Sequence, residues 1–124
     1  MSAKLSAAMI LCAGFGTRMQ DFTKDLPKPM LPIGPKPLLE YTIAHLAKSG
    51  ITNIVINLHY LPEKITSHFG DGRKFGVDIT YSHEDKPLGT AGAVKKAEAF
   101  LNKYEDFLVL YGDIVCTRYR RIKP

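Results

Sequence analysis

Four apolar runs, each too short for a helix, recur along the chain at Ala7 to Cys12, Asn53 to Leu58, Val77 to Tyr81 and Phe107 to Tyr111. Runs of this length read as strands, and strands apolar on both faces belong to a parallel sheet covered by helices. The segments between them have helical spacing instead. Pro37 opens a helix with Leu38, Leu39, Ile43 and Leu46 on one face, and Gly50 stops it. Pro62 to Phe69 predicts a short helix, Gly70-Asp71-Gly72 a turn, and Ala91 to Asn102 a helix with Ala93, Val94, Ala97 and Leu101 as its apolar stripe. The order βαβαβαβ predicts a three-layer, doubly wound α/β fold with right-handed crossovers and strand order 3-2-1-4.

With 124 residues, 45% of them hydrophobic, the chain has material for one ordinary core and reads as one domain over residues 1–116 with a separate tail at 117–124. No apolar run approaches the ~20 residues of a membrane span, and the N-terminus lacks the features of a leader peptide, which points to a cytoplasmic protein. Cys12 and Cys116 sit in apolar stretches and read as buried, reduced thiols, while His45, His59, His68 and His83 show no ligand spacing. The net charge of +5 is unevenly placed: residues 1–116 carry thirteen basic against twelve acidic side chains, and Arg118, Arg120, Arg121 and Lys123 supply the rest. A basic tail without a basic face is no footprint for nucleic acid.

The first strand runs into Ala13-Gly14-Phe15-Gly16-Thr17-Arg18-Met19, and a proline-rich segment with Pro27, Pro29, Pro32, Pro35 and Pro37 follows. So many prolines leave few backbone donors, so Thr17 to Pro37 predicts a long ordered loop of the functional kind. A dinucleotide fingerprint would need a third glycine where Met19 stands, and a P-loop would need Gly-Lys-Ser/Thr. What remains is a Gly-x-Gly-Thr-Arg turn whose backbone N–H groups, with the Thr17 hydroxyl and the Arg18 guanidinium, suit a phosphate.

The series Leu11-Cys12-Ala13-Gly14-Phe15-Gly16-Thr17-Arg18-Met19, Pro27-Lys28-Pro29-Met30-Leu31-Pro32-Ile33 and Lys36-Pro37-Leu38-Leu39-Glu40-Tyr41 resembles the N-terminal signature of the sugar-1-phosphate nucleotidylyltransferases. Phe69-Gly70-Asp71-Gly72, Pro87-Leu88-Gly89-Thr90-Ala91-Gly92 and Tyr111-Gly112-Asp113 extend the resemblance to about residue 115. It implies the Rossmann-like nucleotide-diphospho-sugar transferase fold, truncated after the fourth strand, and transfer of a nucleotidyl group from an NTP to a sugar 1-phosphate with release of pyrophosphate. Such chemistry is positioning plus charge neutralisation.

By the same resemblance, Arg18 and Lys28 are the catalytic cations, the first on the β/γ-phosphates and the second near the α-phosphate. Leu11, Ala13, Gly14, Gly16, Thr17, Glu84, Gly89 and Thr90 line the nucleotide, and Asp113 holds Mg²⁺. Glu84 stands where thymidylyl- and uridylyltransferases often carry glutamine. A carboxylate accepts from both N1–H and N2–H of guanine, which makes guanine the preferred base and uracil the next. The family's second metal carboxylate and its sugar pocket belong to a later half. After Asp113 the sequence departs from the family, and an open sheet edge there predicts homo-oligomer formation or instability. The competing readings are a non-catalytic nucleotide-sensing relative of the same fold and, less supported, a dinucleotide-dependent oxidoreductase.

Overall fold

The computed structural model describes residues 5–13 and 26–112. Along the chain these form β1 (Ala7–Leu11), a 3-10 turn at Lys28–Met30, β2 (Pro32–Ile33), β3 (Lys36–Pro37), α1 (Leu38–Lys48), β4 (Asn53–Leu58), α2 (Pro62–Phe69), a second 3-10 turn at Arg73–Phe75, β5 (Asp78–His83), α3 (Gly89–Lys96), α4 (Glu98–Leu101) and β6 (Leu108–Tyr111). The main sheet has the order β5-β4-β1-β6, with every neighbouring pair parallel. In the order of the four long strands this is the predicted 3-2-1-4. Parallel pairing brings the carboxyl ends of all four strands to one edge, with Leu11 in register with Asn57 on one side and Tyr111 on the other.

Both faces of the sheet are covered at its central strands, which is why β1 and most of β4 are apolar, whereas the edge strand β5 alternates, with Asp78, Thr80 and His83 exposed. Ala8, Ile10, Ile54, Ile56 and Leu58 point to one face, where α1 contributes Leu39, Ile43 and Leu46 and α2 contributes Ile65 and Phe69. Met9 and Val55 alternate to the other face and meet Ala93, Ala97 and Leu101 from the α3–α4 side. The chain therefore passes from the α1/α2 layer to the α3/α4 layer between β5 and β6, and the switch of direction falls beside β1.

Local hydrogen bonds explain where element boundaries differ from the pattern. β5 begins at Asp78, because the Val77 N–H closes the preceding turn on the Gly72 carbonyl and pairing starts with Asp78 N–H donating to Thr52 O at 2.7 Å. Gly72 itself sits at φ +86°, and a Cβ there would lie 2.7 Å from Ile79 Cγ1 and 2.9 Å from Val77 Cγ2. The predicted helix from Ala91 to Asn102 starts earlier, at Gly89, and is broken in two at Ala97 (φ −87°, ψ 9°). On a straight helix an i, i+4 series drifts by about 40° per step, so the break keeps Ala93, Ala97 and Leu101 in one cluster. The described part of the proline-rich loop is shaped rather than irregular: β2 and β3 form a small antiparallel hairpin, with Ile33 opposite Lys36. The Tyr41 hydroxyl donates to Ile33 O at 2.5 Å and ties this hairpin to α1.

Candidate functional site

At the carboxyl edge of the sheet lies a cavity of about 190 Å³, lined by the end of β1 (Leu11, Cys12, Ala13), by Lys28 and Pro29, by Asn57, by Glu84 and Pro87, and by Gly89, Thr90 and Tyr111. Five nucleotide- or phosphate-handling residues singled out from the sequence besides Lys28 are thus brought to one concavity: Leu11, Ala13, Glu84, Gly89 and Thr90. Gly14, Gly16, Thr17, Arg18 and Asp113 lie outside the described residues, as does Cys116. Cys12 is a buried thiol, as its apolar setting predicts.

The interior of the site is organised by a residue that the sequence pattern does not single out. Asn57 continues the Val55 face of β4 and is 3% exposed. Its Oδ1 accepts the Cys12 N–H at 2.6 Å and the Ala13 N–H at 3.3 Å. β1 ends at Leu11 for this reason: the next N–H groups turn from the sheet ladder to the Asn57 side chain. On its other side, Asn57 Nδ2 donates to Glu84 Oε2 at 2.9 Å. An amide interrupting the apolar run Ile54–Leu58, one residue before the strand ends, was the available signal for this role.

Glu84 is also nearly closed off from solvent, 4% exposed, and its backbone extends the β5 ladder through Glu84 N–H to Leu58 O at 2.8 Å. Its second oxygen, Oε1, accepts the Leu88 N–H at 3.0 Å, which bends the 84–88 segment back toward the sheet just before Gly89 opens α3 at φ +74°. A buried carboxylate needs such donors, since an unpaired charge in this position would be costly. Glu84 therefore joins two walls of the cavity. Each oxygen has a lone pair beyond the bond shown here.

Lys28, Thr90 and Tyr111 complete the lining of the cavity. Lys28 is held in its 3-10 turn between two buried prolines, with Leu31 N–H donating to Lys28 O at 3.1 Å. Tyr111, 53% exposed, ends β6 with its hydroxyl 3.4 Å from Thr90 Oγ1. Gly112 follows, buried, its N–H donating to Leu11 O at 2.9 Å. A Cβ at Gly112 would stand 2.5 Å from Cys12 Sγ, 3.2 Å from Pro29 Cγ and 3.3 Å from Leu11 O. Only glycine lets β6, β1 and the Lys28 turn converge this closely.

This geometry coincides with a match to the nucleotidyl transferase family over residues 7–122. The chain belongs to that family. Among its relatives, the UTP–glucose-1-phosphate uridylyltransferase of Synechocystis sp. is 44% identical over 116 residues, and the mannose-1-phosphate guanyltransferase of Candida albicans is 42% identical over 110. The matches take in 86% and 87% of this chain, and the chain spans 30% of the length of each relative. The solved structure of HddC from Yersinia pseudotuberculosis, complexed with GMP-PN, superposes with a TM-score of 0.81 at 31% identity, covering 92% of this chain and 50% of that one. The fold is thus the one the sequence motifs imply, a mostly parallel sheet with helices on both faces.

The described residues contain no group of three or more His, Cys, Asp or Glu that could hold a metal ion. The carboxylate among the residues lining the cavity is Glu84, and both of its oxygens accept protein donors. Nor do the described residues contain a helix long and apolar enough to cross a membrane.

Proposed function

We propose that this chain forms the nucleotide-binding part of a sugar-1-phosphate nucleotidyltransferase, which transfers the nucleotidyl group of an NTP to a sugar 1-phosphate and releases pyrophosphate. The observation that carries the reading is the convergence of Leu11, Ala13, Lys28, Glu84, Gly89 and Thr90 on one cavity at the switch point of a parallel sheet, where nucleotide sites form in open α/β folds. Relatives that carry guanylyl and uridylyl names agree with it.

In the reaction, an oxygen of the sugar phosphate attacks the α-phosphorus, the bond from α-phosphorus to the bridging oxygen breaks, and pyrophosphate leaves with the electron pair. No proton has to move, so the task of the protein is to align the two anions and spread the charge that accumulates on phosphoryl oxygens. Lys28, which lines the cavity together with the end of β1, is assigned the α-phosphate. The segment with Gly14, Gly16, Thr17 and Arg18 is assigned the β- and γ-phosphates from its sequence. Glu84 and Gly89 face the base, with guanine preferred and uracil second, and Thr90 and Tyr111 close the side next to it. Asp113, the residue after the tightly anchored Gly112, is the candidate ligand for Mg²⁺. When bound, that ion neutralises phosphate charge and takes one or two carboxylates with the phosphates.

Calorimetric titration with GTP, UTP, dTTP, ATP and NAD in the presence of Mg²⁺ tests the reading. GTP should bind tightest, and Lys28→Ala should weaken every NTP by about 10-fold or more, the worth of a charged hydrogen bond to phosphate. A folded chain that binds no NTP, or an unchanged affinity in Lys28→Ala, refutes it.

A further inference from the structure

The Glu84–Asn57 pair joins two loops that sequence places 71 residues apart, from Ala13 to Glu84. Four hydrogen bonds run in series: Leu88 N–H to Glu84 Oε1, Asn57 Nδ2–H to Glu84 Oε2, and the Cys12 and Ala13 N–H groups to Asn57 Oδ1. Both side chains are buried, at 4% and 3% exposure, so the series is shielded from competing water. Its polarity is fixed end to end. Two backbone donors at Cys12 and Ala13 force the Asn57 oxygen toward β1, which turns its amide NH₂ toward Glu84, and a carboxylate is the side chain that can accept there while also accepting from Leu88.

We infer that Asn57 is a positioning residue that, through Glu84, couples the conformation of the 84–89 loop to the backbone at Cys12 and Ala13, so that the two ends of a bound nucleotide are sensed together. The inference rests on the nucleotide site described above. It assigns Glu84 a duty toward the phosphate end of the site as well as toward the base, and it makes a prediction with the opposite sign from simple electrostatics.

The probe is inorganic tripolyphosphate with Mg²⁺, which has no base for Glu84 to read. Replacing Glu84 with glutamine removes a negative charge from the cavity, and by Coulomb's law alone this tightens binding of a polyanion. In the coupled arrangement the same change sets the new amide donor against either Asn57 Nδ2 or Leu88 N–H. The relay then breaks, and E84Q should bind tripolyphosphate at least about threefold more weakly than the wild type. Asn57→Asp should also weaken binding, since two carboxylates then face each other. The reciprocal double variant, N57D with E84Q, restores every donor and acceptor: the carboxylate now on β4 accepts from Cys12, Ala13 and the introduced amide, and the carbonyl of that amide accepts from Leu88. Its affinity should return to within about twofold of the wild type, and slow exchange of the Cys12 amide proton, lost in both single variants, should return with it.

Equal or tighter tripolyphosphate binding by E84Q, or a double variant as weak as N57D, overturns the coupling while leaving the nucleotide site standing. Failure of the wild-type chain to bind either tripolyphosphate or any NTP overturns the nucleotide site and the coupling together.

Discussion

Gly112 offers a stringent test of how tightly the site is built. Replacing it with alanine puts a methyl group 2.5 Å from Cys12 Sγ, about 1 Å inside an ordinary contact, with Pro29 Cγ at 3.2 Å and Leu11 O at 3.3 Å behind it. Cys12 is 3% exposed and packed in the α1-side core, so its sulfur has little room to swing away. Overpacking of this kind costs about 1–3 kcal/mol. An unfolding entropy of about 2.1 cal/mol/K per residue over 124 residues makes 1 kcal/mol worth about 4 °C, so Gly112→Ala should lower Tm by about 4–12 °C. The diagnostic step is the double variant. Cys12→Ala alone should cost about 1 kcal/mol for the lost buried atom, but it also removes the atom in the way of the new methyl. The remaining contacts, to Pro29 and Leu11, are tight by only a few tenths of an ångström. Cys12→Ala with Gly112→Ala should therefore be less destabilised than the sum of the two single variants, by about 1 kcal/mol or more, in urea titrations followed by circular dichroism. The Cys12 donor to Asn57 Oδ1 is a backbone N–H, so this bond survives in every variant. Additivity within about 0.5 kcal/mol would refute the steric account of Gly112.

Gly72→Ala should be more damaging still, with a loss of about 3 kcal/mol or more, because φ +86° and close contacts with Ile79 and Val77 both oppose a side chain; a cost below about 1 kcal/mol in the same titration would count against it. The phenol of Tyr81 is pushed up to about 12 by burial first, then by the charge of Asp71 and by Cys12, and its hydroxyl donates to Gly70 O at 2.7 Å. Its folded value lies above the unfolded 10.0, so its contribution to stability is complete below pH 10 and is lost as pH rises toward about 12. Tyr81→Phe should flatten the alkaline fall in stability measured by denaturant titration, and an identical fall in both proteins would show that Tyr81 is not its source.

Much of the fold was legible because it depends on local pattern. Asn53–Leu58 and Pro62–Phe69 coincide with their predicted bounds, since length and apolar spacing specify them without reference to distant residues. Strand order followed from the rule that a doubly wound sheet places its fourth strand beside the first. The boundaries that shifted are those decided by single hydrogen bonds: Val77 spends its N–H on Gly72, and Cys12 spends its own on Asn57. At the site, the resemblance to a known family, and not spacing, grouped Lys28, Glu84 and Gly89, and all three line the one cavity. It did not reveal Asn57, because an amide in an apolar run acquires its meaning only from partners 45 residues before it and 27 after it. The steric need for Gly112 was hidden in the same way, in a sulfur atom 100 positions earlier in the chain.

The place of β1 in the middle of the sheet also has a consequence for how the molecule is made. This uncharged strand, Ala-Ala-Met-Ile-Leu, is the first of the described elements to be synthesised, yet its second partner, β6, is the last of them. The 53 residues from Leu58 to Tyr111 take about 3–10 s to translate at 5–20 residues per second. During that interval β4 can cover one edge of β1, while the other edge, with Met9 and Val55 beside it, waits for a strand and a helix that do not yet exist. The nascent chain thus carries an unpaired apolar edge for seconds, the kind of edge on which strands of separate chains can pair.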